Sequence, residues 1–251
     1  MPDPIYKIRG LTKHYGSKPV LQGLNFEVYR GESLVILGRS GSGKSVTLRQ
    51  LNGLEKPDNG SVEFDGTEIT GMREKELYPL RKRVAMLFQG GALFDSMTVY
   101  GNVAFPLREH TDWNEEKIGE TVRQKLSMVR LSGVEDKLPA DLSGGMKKRV
   151  ALARSMALDP EVVLFDEPTT GLDPMTSATI AHLMRASQAD LNATSVVVTH
   201  DIALARLVGD RVAFLTVGKF SFVGTWQEAD ATENPLFGRF LAGLEEEEDA
   251  A

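Results

Sequence analysis

The densest chemistry in the chain sits in Gly38-Arg39-Ser40-Gly41-Ser42-Gly43-Lys44-Ser45, followed by Val46. These residues fit G-x-x-x-x-G-K-[ST] and come directly after the apolar run Ser33-Leu34-Val35-Ile36-Leu37. The order is strand, phosphate loop, helix. Glycines let consecutive backbone N–H groups turn toward one centre, and a helix starting near Lys44 adds the positive end of its dipole. Such a nest suits polyphosphate. Lys44 is placed to reach β- and γ-phosphate oxygens as a point charge, and the Ser45 hydroxyl to take one Mg²⁺ position. A plain glycine-rich turn is the bland alternative, but the full pattern in this context reads as a nucleoside triphosphate site.

A second constellation lies downstream. Val163-Leu164-Phe165-Asp166-Glu167 puts two carboxylates at the carboxyl end of a buried strand, the edge at which a parallel α/β sheet binds its ligand. Asp166 is expected to hold Mg²⁺ through water and Glu167 to polarise the attacking water. Alone the run could be an ordinary strand end; its position after a phosphate loop gives it the functional reading.

The elements that must position these groups follow from patterning. Ile5 to Arg9, Asn25 to Tyr29 and Ser61 to Phe64 read as short strands ending in turns, an antiparallel sheet beside the phosphate-loop strand. Val46, Leu48, Leu51 and Leu54 give one helix an apolar face, stopped by Pro57 and Asn59-Gly60. From about 90 to 160 the character is helical, with Ile118, Val122, Leu126 and Val129 at helix spacing and Asn114 as a cap. This reads as an inserted helical subdomain. Val162 to Phe165 and Ser195 to Val198 are buried parallel strands around a helix through Ile180, Leu183 and Met184. A hairpin from Arg211 to Val217 and Phe220 to Val223 closes the unit. The fold class is α/β with a mixed, largely parallel sheet core, and one domain is expected over 1–243, followed by a tail at 244–251.

Composition narrows the classes. With 251 residues, 41% hydrophobic and 25% charged, the chain can bury one substantial core. Charged residues interrupt every run that approaches the roughly 20 apolar residues needed to span a bilayer. The start, Met1-Pro2-Asp3-Pro4-Ile5, lacks a basic and then apolar leader, and the chain has no cysteine; both suit a cytosolic protein. A net charge of −6 argues against nucleic acid as a partner.

Leu142-Ser143-Gly144-Gly145-Met146, preceding Asp166-Glu167, resembles the signature motif of ATP-binding-cassette ATPases. The resemblance implies that Ser143, Gly144 and Gly145, at a helix start, bind the γ-phosphate of ATP held by a second subunit. It further implies that Tyr15 stacks on adenine and that Gln89 contacts Mg²⁺ and the attacking water. Asp173 in Gly171-Leu172-Asp173-Pro174 is implied to touch the partner's active site, and His200 to hydrogen-bond the γ-phosphate. A packing tyrosine, a strand-end glutamine, a plain turn and a structural histidine are the respective alternatives. Met146 stands where most members carry Gln, and a thioether cannot donate that amide's hydrogen bond. Arg39 replaces the commoner Pro at a position that contributes mainly backbone.

Finer resemblance lies in Ala92-Leu93-Phe94, in Pro106-Leu107-Arg108-Glu109-His110-Thr111, in Ser143-Gly144-Gly145-Met146 and in Asn234 to Gly243. These phrases are similar to the ATPases of Mla/Mce-type phospholipid transporters. What that implies is an ATPase homodimer on the cytoplasmic face of the inner membrane, joined to an integral membrane permease and an Mce-type lipid-binding protein. The alternatives are an importer ATPase for amino acids or another small solute, an ATPase acting on envelope proteins, and a soluble cassette of DNA repair or the ribosome. In this family the segment from Gly91 to Thr111 receives a permease helix; Phe94, Met97, Val99 and Tyr100 suit either that groove or core packing. Glu245 to Asp249 reads as a solvated, like-charge end.

Overall fold

The computed structural model of the chain describes residues 3–244, and the acidic run after Leu244 lies outside them. Strand β1 (Pro4–Tyr15) and strand β2 (Lys18–Tyr29) form an antiparallel hairpin. Both exceed the lengths predicted from alternation, because a register shift between Ile8 and Leu11 breaks the two-residue period without ending the pairing. Strand β3 (Ser33–Leu37) leads into helix α1 (Lys44–Leu51). Strands β4 (Asn59–Phe64) and β5 (Thr67–Glu68) extend the hairpin into a sheet of order β2-β1-β4-β5.

The remaining elements build the core. Helix α2 (Glu74–Arg83) runs into strand β6 (Val84–Leu87), followed by helices α3 (Val99–His110), α4 (Glu115–Met128) and α5 (Gly144–Ser155). Strand β7 (Val162–Asp166), helix α6 (Pro174–Leu191), strand β8 (Thr194–Thr199) and helix α7 (Ile202–Val208) come next. Strands β9 (Arg211–Thr216) and β10 (Lys219–Thr225) and helices α8 (Trp226–Asp230) and α9 (Pro235–Leu241) complete the described chain. The second sheet has the order β10-β9-β3-β8-β7-β6, parallel from β9 to β6 with β10 antiparallel at one edge.

Strand β3 shows why the layers stack this way. Successive side chains point to opposite faces, so Leu34 and Ile36 enter the cluster with the first sheet and α1. Val35 and Leu37 enter the cluster with α3 to α6. A strand covered on both faces has to be apolar throughout, as this one is.

Three expectations need correction. Helix α1 ends at Leu51, and Leu54 lies beyond it, 46% exposed, because Gly53 takes a left-handed conformation (φ +65°). Asn59-Gly60 does not stop that helix but opens β4. The stretch 88–98 is not helical; the helices between 90 and 160 are separate, and α2 precedes them with Pro79 inside it.

Candidate nucleotide site

Parallel strands deliver their carboxyl ends to one edge. Strand β3 ends at the phosphate loop, β7 at Asp166, β8 at Thr199, and β6 just before Gln89. There Arg39 to Gly41, Gly43 to Val46, Gln89, Glu167 and His200 wall a cavity of about 570 Å³.

The loop needs its glycines. Gly43 has φ +107°, and a Cβ on it would stand 2.7 Å from Leu21 and 2.9 Å from the Val20 carbonyl oxygen. A Cβ on Gly38 would lie 2.5 Å from the Leu215 carbonyl oxygen. As the residue before α1, Gly43 supplies no side-chain cap, which leaves the first helical N–H groups for an anion. Lys44 is buried; its ammonium donates to the carbonyls of Gly38 (2.7 Å) and Arg39 (3.0 Å) and lies 3.3 Å from Glu167 Oε1.

The two carboxylates differ in their surroundings. Ser45 Oγ donates to Asp166 Oδ1 at 2.7 Å. Burial pushes the Asp166 carboxyl above its usual range, opposed by that hydrogen bond, with the Glu167 charge adding to the rise. Glu167 sits in the left-handed region (φ +46°), a strained position for a residue with a long side chain. Its amide donates to the Val198 carbonyl (2.9 Å), which ties the turn after β7 to β8. Glu167 Oε2 accepts from Thr199 Oγ1 (3.2 Å) and lies 3.0 Å from His200 Nδ1.

Several expected residues lie elsewhere. Tyr15 does not join the cavity wall: it is 48% exposed at the end of β1, and its hydroxyl donates to Glu55. Partial burial and the Glu55 carboxylate raise its pKa. Val20 of β2 and Phe240 of α9 line the cavity instead. Gly38 and Ser42 belong to the loop without facing the cavity. Ser143 caps α5, its Oγ accepting from the Met146 amide at 3.3 Å. Asp173 caps α6 through the Thr176 amide (3.0 Å) and hydroxyl (2.6 Å), bonds that hold its carboxyl below the usual range. The two caps are neighbours, since a Cβ on Gly145 would meet Thr176 at 2.7 Å. Ser143 to Gly145 and Asp173 therefore lie side by side, and none of them lines the chain's own cavity.

Thr199 and Lys148 are site residues that the sequence reading missed. Thr199 immediately precedes His200 on a buried strand, a local signal that was available. Lys148 is buried on α5 and donates to the Gln89 carbonyl. Val20 and Phe240 come from distant parts of the chain, with no local signal.

A second cavity, of about 480 Å³, opens between β6 and α3. Met86, Phe88, Phe94 and Phe105 line it, while Val99 is fully buried in the core. The 91–111 segment thus divides between groove and core.

A phosphate loop facing Glu167 and His200 across the edge of a parallel sheet defines a nucleotide-hydrolysing ATPase. A family model described as "ABC transporter" matches residues 21–170, and the chain belongs to that family. It is 43% identical over 237 residues to the probable ribonucleotide transport ATP-binding protein mkl of Mycobacterium leprae, covering 94% of this chain and 68% of the relative. With the intermembrane phospholipid transport system ATP-binding protein MlaF of Escherichia coli K12 it shares 40% identity over 237 residues, 94% of this chain and 88% of the relative. Among solved structures, the post-hydrolysis dimer of the ATP-binding cassette MJ0796 with ADP and Pi matches with TM-score 0.81 and 32% identity, over 88% of this chain and 98% of that one. The chain is an ATP-binding, ATP-hydrolysing cassette of a transport system. Among the described residues no helix is long and apolar enough to cross a membrane.

Proposed function

We propose that two copies of this chain bind two ATP molecules between them and drive a phospholipid transporter of the bacterial envelope. The observation that carries the hydrolytic part is Glu167, held in the cavity wall between the Lys44 ammonium and His200. Phosphates entering the loop take over the Lys44 donors now given to backbone carbonyls. Glu167 then orients the attacking water, and His200 donates to the γ-phosphate.

Mg²⁺ fits the residues present. Ser45 and Asp166 supply hard oxygen donors already 2.7 Å apart, with Gln89 in the same wall. Bound there, the ion neutralises charge on the phosphates. Asp166, raised by burial in the free chain, gains a reason to stay ionised.

The neighbouring caps of Ser143 to Gly145 and Asp173, none of which lines the chain's own cavity, support the in-trans arrangement. In it the free amides at the start of α5 close on the partner's γ-phosphate. Closure carries the helical segment of about 90–160, and the groove between β6 and α3 takes a helix of an integral membrane permease. ATP binding does work because the closed dimer binds ATP more tightly than the open one. The chain sits at the cytoplasmic face of the inner membrane, with an Mce-type lipid-binding protein beyond the permease.

The MlaF relatives and the shared phrases support phospholipid as the cargo, and the name of the mycobacterial relatives supports a ribonucleotide instead. Gentle solubilisation of membranes holding the tagged chain, then mass spectrometry, decides between them. Permease, Mce-type protein and phospholipid should co-purify; a solute-binding protein in their place would move the cargo to a small solute.

A further inference from the structure

The loop after β6 is held by cations from a single helix. Lys148, on the second turn of α5, is only 8% exposed and donates to the Gln89 carbonyl. Arg154, nearly two turns on, donates to the carbonyls of Gly91 and Ala92, both at 2.8 Å, and lies over the Phe94 ring at 5.6 Å. The loop presses closely on the helix, since a Cβ on Gly91 would stand 3.3 Å from the Ala151 Cβ. Ala92 has φ +48°, a conformation that costs an alanine energy unless its neighbours enforce it.

A buried ammonium needs an acceptor, and a carboxylate is the usual one. Lys148 instead donates to a main-chain oxygen, that of the residue whose side chain stands in the cavity wall. The same helix begins at the Ser143 cap.

We infer that Lys148 is a positioning residue: it fixes the Gln89 backbone to α5, so that the Gln89 side chain stays in the nucleotide cavity. Arg154 extends the clamp to the next turn of the loop. The Ser143 end of α5 and the Gln89 loop then move as one body. In the dimer they serve different nucleotides, so the clamp links the two sites mechanically. This rests on the reading of Gln89 as a contact to Mg²⁺ and water.

Hydrogen exchange and kinetics on the full chain test it. The Gly91 amide donates to the Phe88 carbonyl at 2.8 Å, so its exchange reports the loop. In the nucleotide-free chain, Lys148→Met should speed exchange at 89–92 about tenfold, and Lys148→Arg should restore it. The Met variant should lose about tenfold in kcat with KM for ATP within about twofold, and combined with Gln89→Ala it should be no slower than Gln89→Ala alone. A residue that merely fills the core would lower Tm without this pattern. If Lys148→Met does not fold, Lys148→Leu, which likewise lacks a donor, takes its place in every comparison. Wild-type exchange, or losses that multiply in the double variant, would overturn the proposal. Wild-type turnover by Gln89→Ala would instead overturn the role of Gln89, and the exchange result would still decide the clamp.

Discussion

His200 Nδ1 lies 3.0 Å from Glu167 Oε2, and the two residues come from the ends of adjacent parallel strands, β8 and β7. The same oxygen accepts from Thr199, while the other carboxylate oxygen faces Lys44. Glu167 is therefore fixed from three directions before nucleotide arrives, with its backbone strain held by the Val198 hydrogen bond.

Glu167→Gln keeps the side chain's shape and a hydrogen-bonding oxygen but removes the base. Hydrolysis should fall at least about a hundredfold, while ATP binding, carried by the loop, persists. Gel filtration with ATP should find the variant accumulating as dimer. Wild-type turnover would remove Glu167 from its role.

Asp166→Asn should separate stability from function. The folded pKa of Asp166 is above its unfolded value because burial disfavours the charge. The folded state thus gains relative stability below that pKa and loses it as pH rises through it. The Asn variant should be more stable at pH 7 and inactive. Thermal melts should show the gap closing as pH falls toward the usual carboxylate value of about 3.9. Equal Tm values at every pH would contradict this account of the burial.

Phe237→Ala tests the carboxyl-terminal cover of the cavity. Phe237 is fully buried and stacks on Phe214 of β9 at 4.9 Å, beside Phe222 of β10 at 4.8 Å. Its loss should cost about 3–5 kcal/mol in denaturant unfolding, and weaken nucleotide binding because α9 carries Phe240 into the cavity wall. Unchanged stability would mean α9 does not depend on that packing.

How much of this was legible beforehand depends on locality. The phosphate loop and Asp166-Glu167 stand at the ends of short apolar runs, so their sequence context alone placed them at one sheet edge, while His200 was assigned through the family resemblance. Nothing local reveals that Glu55, forty residues away, accepts from the Tyr15 hydroxyl. Lys148 escaped notice because it stands in the cationic run Lys147-Lys148-Arg149, and its burial arises only when α5 packs on the Gln89 loop. Helix α2 escaped because its polar residues and Pro79 blur the apolar period. Phe240 entered the wall through packing between distant segments, which no window along the chain can register.

The central claim is that each nucleotide is completed by the second copy, and mixing two inactive chains tests it most directly. Lys44→Ala disables the phosphate loop and Ser143→Arg the start of α5. Each alone should be inert, and an equal mixture should recover about a quarter of wild-type ATPase activity, because half the dimers contain one intact composite site of two. If the mixture stays inactive while both variants still dimerise, the sites are not shared between copies.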